Sequence, residues 1–242
     1  MNGWSLSKFS DGGITHETFR KGSGPGVIVV HEIPGITPVV EKFANEVVDA
    51  GFTVVMPLLV GTTDKSSSRK YMASSMARVC ISKEFTTMAL RQTSPVIFWL
   101  RALAKQLHSE VGGRGIGAVG MCFSGGFALG MMVDDIMLAP VVSQPSLPFS
   151  FGAKRAADLN LSNEDLNRVA QRASDGCQVL GLRFTGDKLV GTRFDELHKL
   201  LGDSFIAVEF GSTKKSDHSV LTEQRQELGV QRVLEFLKLK LL

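Results

Sequence analysis

The sequence predicts an α/β fold with a mostly parallel central sheet. Two observations carry the prediction. Short apolar runs rich in Val and Ile alternate with longer segments of helical period along the whole chain. The chain has 242 residues, enough for one sizeable core, and 43% hydrophobic against 21% charged residues is ordinary globular composition.

The elements follow in order. Residues 14–20 read as an antiparallel edge strand, because Lys21-Gly22-Ser23-Gly24-Pro25-Gly26 is a turn signal. Six further strands are expected to run parallel, at 27–31, 53–57, 115–120, 136–142, 179–185 and 205–210. Helices are expected between and after them at 38–50, 94–109, 123–133, 162–173, 192–201 and 219–239, on both faces of the sheet. Two segments break the repeat. Residues 61–93 are too long for a simple connection and read as a lid-like insertion, with Met72, Met76, Phe85 and Met88 as an apolar wall. Residues 143–161 carry Pro145, Pro148 and Gly152, so an irregular loop is expected where such sheets place ligands. The whole of 1–242 is expected to be one domain.

A net charge of +3 with Lys and Arg interleaved among Asp and Glu gives no support to nucleic-acid binding. No run reaches the roughly 18 apolar residues of a membrane span, and residues 1–9 lack the apolar core of a leader. Cys80, Cys122 and Cys177 are odd in number and widely spaced, which suggests neither a disulfide framework nor a zinc site, so a cytoplasmic location is expected.

The chemistry concentrates at Gly120-Met121-Cys122-Phe123-Ser124-Gly125-Gly126, between an expected strand and helix. An α/β-hydrolase presents its nucleophile in this context, on a turn so tight that the residues two before and two after must be small. Gly120 and Ser124 meet that need, and Cys122 lies at the tip, at the positive end of the following helix. Two other readings stand beside this one. Cys122 can be a buried apolar thiol, or Ser124 can be the nucleophile with Cys122 and Gly126 flanking it, which leaves Gly120 unexplained. Of five histidines, only His218 falls on a loop after the last strand and before the final helix. Asp187, after the penultimate strand, completes the chain order nucleophile, acid, histidine. Asp195 and Asp217 are weaker candidates for the acid. Glu32 is a carboxylate at a strand end, open to reading as a perturbed acid or as a solvated one.

Taken with Val30-His31-Glu32-Ile33-Pro34-Gly35, Thr185-Gly186-Asp187 and Asp217-His218-Ser219, this elbow resembles the dienelactone hydrolase family, colinearly over residues 27–219. The resemblance implies a Cys122, His218 and Asp187 triad, with Glu32 touching the resting thiol and helping to activate it. It also implies an oxyanion hole made by the N–H groups of Ile33 and Phe123. The family's arginine after the catalytic histidine is missing from Ser219-Val220-Leu221-Thr222. The insertion offers Arg69, Arg78 and Arg91, with Arg78 and Arg91 as the candidates for substrate binding, although exposed arginines are more often plain surface charge.

The expected activity is hydrolysis of a small carboxylic ester or lactone, carboxymethylenebutenolidase-like, through a thioester acyl-enzyme and without metal or cofactor. Acyl transfer to another acceptor on the same residues, or ligand binding on a disused hydrolase scaffold, are the alternatives. The chain is expected to work as a monomer or homodimer.

Overall fold

The computed structural model describes residues 1–86, 89–147 and 152–242. Eight strands form one sheet: β1 (Ser5–Asp11), β2 (Ile14–Lys21), β3 (Gly26–Val30), β4 (Thr53–Leu58), β5 (Ile116–Met121), β6 (Met137–Ser143), β7 (Val179–Phe184) and β8 (Phe205–Phe210). They lie in the order β1-β2-β4-β3-β5-β6-β7-β8. The run from β4 to β8 is parallel, and the β1–β2 hairpin adds antiparallel to β4.

Helices cover both faces. Helices α1 (Pro38–Asp49) and α8 (Glu227–Leu241) bury Phe43, Val47, Val233 and Leu237 against Val27, Val29, Val119 and Val141. On the other face, α3 (Pro95–Val111), α4 (Gly125–Met131), α6 (Asn163–Ser174) and α7 (Arg193–Leu201) pack Leu100, Phe127, Val169 and Phe194 on Ile28, Val30 and Ala118. Inward-facing side chains on both surfaces explain why β3, β4 and β5 read as continuous apolar runs.

The six parallel strands and the edge strand lie where the sequence placed them, within a residue at each end. Four expectations are corrected. The hairpin partner β1 was not anticipated; its polar, exposed side chains give no burial signal, and only the Gly12-Gly13 turn marks it. The helix expected at 123–133 starts two residues later, because Cys122–Ser124 form a 3-10 turn. The long segment 61–93 contains α2 (Arg69–Ile81), capped by Ser68, whose Oγ accepts the Tyr71 N–H at 3.3 Å. Finally, the last helix begins at Glu227 rather than 219. Residues 219–226 turn instead, since Gln224 Oε1 accepts the N–H groups of His218 and Ser219 at 3.2 and 2.9 Å, an alternative to helical bonding.

Helix α2 is anchored rather than free-standing. Tyr71 Oη donates to Thr62 O at 2.9 Å, and Ser75 Oγ donates to Pro34 O at 2.8 Å, tying the helix to the loops after β4 and β3. Phe85 is buried, edge-on to Phe123 and parallel to Phe127, and Met76 packs beside this cluster. Met72 instead faces solvent. Met88, like Pro148, lies outside the described residues. The loop after β6 contains a short helix, α5 (Ala153–Ala157). Among the described residues, no helix is long and apolar enough to cross a membrane.

Candidate active site

Strand β3 pairs with β4 on one side and β5 on the other, so chain order switches direction here and the carboxyl ends of β3 and β5 border one crevice. Cys122 follows β5 directly and adopts φ of 58°. That left-handed backbone is strained for cysteine and sets its side chain at the tip of the turn. The turn tolerates nothing larger than glycine two residues earlier: a Cβ on Gly120 would fall 2.2 Å from Ser124 O.

Ser124 closes the turn from inside. Its Oγ accepts the Met121 N–H at 2.9 Å and has the carbonyls of Val30 and His31 at 3.0 and 3.2 Å as acceptors. Wholly buried, this hydroxyl faces away from the crevice. This burial weighs against the serine register.

His218 reaches the crevice from the loop after β8. Its Nδ1 lies 2.6 Å from Asp187 Oδ2, and Asp187 is itself fixed in the turn after β7, where Oδ1 accepts the Leu189 N–H at 2.9 Å. The carboxylate therefore holds the proton on Nδ1 and turns Nε2 inward. Nε2 is buried, and the Cys122 sulfur lies close enough to act on it by charge and by hydrogen bonding. Burial pushes the imidazole toward neutrality, but the charge of the Cys122 sulfur and the bond to Asp187 outweigh it. His218 is held well above the usual histidine value. Asp217 serves the loop rather than the imidazole. Its Oδ2 accepts the N–H groups of Thr213 and Lys214 at 2.7 and 2.8 Å, bracing the segment that carries His218.

Both expected oxyanion donors follow the strands whose carboxyl ends border the crevice. Ile33 follows β3, and its N–H makes no hydrogen bond among the described residues. Phe123 N–H belongs to the first turn after β5, where backbone donors lack intrahelical acceptors.

Glu32 departs from expectation. Its carboxylate does not bond the thiol: Oε2 accepts from Ser219 Oγ at 2.7 Å and from Gln144 Nε2 at 3.3 Å, and Oε1 accepts from Thr222 Oγ1. Residues 219–222 curl over the end of β3 and offer two hydroxyls, so the side chain turns to them. Burial pushes the Glu32 carboxyl up, against the lowering effect of these hydroxyls. Gln144 extends the network, with its Oε1 accepting Val220 N–H at 3.4 Å. Preceding Glu32, His31 is structural: Nδ1 donates to Glu32 O at 2.7 Å and Nε2 accepts Leu59 N–H at 3.0 Å, while burial lowers its pKa to about 4.

The two expected substrate arginines separate. Arg78 is exposed on α2. Arg91, also exposed, borders a groove of about 950 Å³ with Leu90, Leu159 and Leu166. A third arginine, unanticipated, sits deeper. Arg193 is 1% exposed, has no carboxylate within ion-pair distance among the described residues, and donates to the carbonyls of Asp158, Leu189, Val190 and Arg155. Its charge acts on Cys122, and with Ser146 it lines a small cavity beside the elbow. Nothing in its local sequence, at the start of an amphipathic helix, separates it from a surface arginine.

A left-handed residue between strand and helix, at the switch point of this sheet, is the backbone geometry of an α/β-hydrolase elbow. The chain belongs to the dienelactone hydrolase family, whose family model matches residues 15–172, and it is a hydrolase acting on ester bonds. Among solved structures, the chain is similar to a dienelactone hydrolase from Anabaena variabilis (14% identity, TM-score 0.66, covering 99% of this chain and 98% of that one). It is also similar to a cold-adapted esterase from an Arctic intertidal metagenomic library (17% identity, TM-score 0.63, covering 98% and 93%). A third likeness is to a dienelactone hydrolase-like promiscuous phosphotriesterase from metagenomic libraries (16% identity, TM-score 0.61, covering 98% of each chain). Comparison with curated proteins finds no match.

Proposed function

We propose that this chain hydrolyses a small carboxylic ester or lactone through a thioester formed on Cys122, with His218 as base and acid and Asp187 orienting it. The supporting observation is the pairing of a cysteine at φ of 58° with a histidine whose Nδ1 is fixed by Asp187 and whose buried Nε2 lies near the sulfur. The sulfur attacks the carbonyl carbon as a thiolate, its proton residing on His218. Ile33 and Phe123 N–H groups receive the developing oxyanion. As the C–O bond breaks, His218 passes the proton to the leaving oxygen. Water then attacks the thioester, His218 takes the water's proton, and the C–S bond breaks to restore the thiolate. Activated esters and enol lactones suit this sequence, because thiolate returns easily from the tetrahedral intermediate unless the alcohol leaves well.

Glu32 is assigned a positioning role: it holds residues 219–222, and through them His218, to the end of β3. We take the chain as one domain, with 61–93 as a lid whose inner wall includes Phe85. Arg78 and Arg91 stay the candidate substrate arginines; the groove that Arg91 borders is lined by none of Cys122, Asp187 and His218, so it does not separate the two. The test is hydrolysis of a small activated phenyl ester. Cys122→Ala is expected to lose activity by at least about a thousandfold, the scale of a lost nucleophile. Undiminished turnover by Cys122→Ala would overturn the assignment.

A further inference from the structure

Resting on the assignment of Cys122 as nucleophile, we infer that the Ser146 hydroxyl is a second catalytic group. It donates to the Cys122 thiolate from the loop after β6 and favours its return when the thioester is hydrolysed. Ser146 Oγ lies 3.2 Å from Cys122 Sγ, and its N–H donates to Cys122 O at 3.0 Å, so the loop is tied to the elbow at side chain and backbone. The approach is close by construction: a Cβ on Gly125 would fall 2.8 Å from Pro145 Cα. Ser146 is 7% exposed, so its hydroxyl has little competition from solvent.

The direction of the bond follows from its surroundings. Charged groups around the sulfur are His218 from the loop after β8, backed by Asp187, and Arg193 from α7, with Asp158 beyond it; Glu32 lies behind His218. His218 lies beside the sulfur, and Arg193 is a buried cation without a carboxylate at ion-pair distance among the described residues. In the mechanism proposed above the sulfur is a thiolate before attack; a thiolate has no proton to give, and Ser146 then donates. In that mechanism the charge stands on sulfur before attack, disappears in the thioester and reappears when the C–S bond breaks. A donor aimed at it raises the thiolate fraction and improves the leaving group in the second half-reaction.

The experiment is alkylation of the full chain with iodoacetamide against pH, with the modified cysteine located by mass spectrometry. Burial raises the thiols of Cys80 and Cys177, the latter despite the opposing charges of Arg172 and Lys240, so reaction below pH ~8 reports Cys122. Ser146→Ala retains the backbone bond to Cys122 O. Its Cys122 profile is expected to move up by about one pH unit, the scale of one lost charge-assisted bond, with Ser146→Thr lying close to wild type. On an activated ester, Ser146→Ala should also accumulate acyl-enzyme, with deacylation about tenfold slower. Should Ser146→Ala fold poorly, the nearly isosteric Ser146→Thr and Ser146→Val pair, differing by the hydroxyl, gives the same comparison. Coincident profiles with and without the hydroxyl would overturn the inference, even if Cys122 proves to be the nucleophile. A shifted profile in a protein without esterase activity would uphold the bond and count against the hydrolase mechanism instead.

Discussion

At the scale of single residues, the meeting of Cys122, Asp187 and His218 was legible because their positions are tied to chain order. Cys122 stands between a strand and a helix, and His218 after the last strand, and those positions survive any packing detail. The direction of Glu32 was not legible, because its partners are Ser219 and Thr222, 187 and 190 residues away along the chain. Arg193 and Ser146 were missed for the same reason, since only folding brings them to the elbow. Glu32 now carries its own prediction. Its raised pKa means that its contribution to stability is fully present below the ordinary carboxylate range and is lost as pH rises through the raised folded value. Glu32→Gln cannot ionise, so its stability relative to wild type should improve as pH rises from the ordinary carboxylate range through the raised folded value, read in urea titrations. A constant difference across that window would contradict the buried, proton-favouring environment. Glu32→Ala, which strands two hydroxyls and an amide, should cost about 2–4 kcal/mol and lower kcat by loosening the loop that holds His218.

Among elements, the parallel strands were read correctly because burial on both faces leaves an unbroken apolar run, whereas β1 exposes nearly every side chain and offers no such pattern. The final helix was drawn eight residues too early. Val220 and Leu221 are apolar and buried, but their segment is held by side-chain bonds from Gln224 and to Glu32, not by helical ones. The turn between β5 and α4 yields the clearest prediction at this scale. In Gly120→Ala the new methyl meets backbone at Ser124 O, which no rotamer change can relieve. The variant should lose about 1–3 kcal/mol of stability, and its hydrolytic activity should fall with it as Cys122 is displaced from Nε2. Thermal unfolding together with ester hydrolysis checks both; a Gly120→Ala protein of wild-type stability would show that the elbow is looser than described.

For the molecule as a whole, the sheet explains why residues so distant in sequence meet. Crossing from β4 through β3 to β5 opens one crevice at the carboxyl ends of the strands, and the loops after β3, β5, β6, β7 and β8 supply Ile33, Cys122, Ser146, Asp187 and His218 in turn. Each loop supplies one group, and the scaffold beneath is packed on both faces of the sheet. The central claim is that acyl groups pass through Cys122. Its most direct test is mass spectrometry of wild-type protein acid-quenched during turnover of an activated phenyl ester, followed by peptide mapping. A mass increase equal to the acyl group, confined to the peptide containing Cys122 and absent from Cys122→Ala, is the predicted result; steady hydrolysis with no adduct there, or an adduct on another residue, would contradict the account.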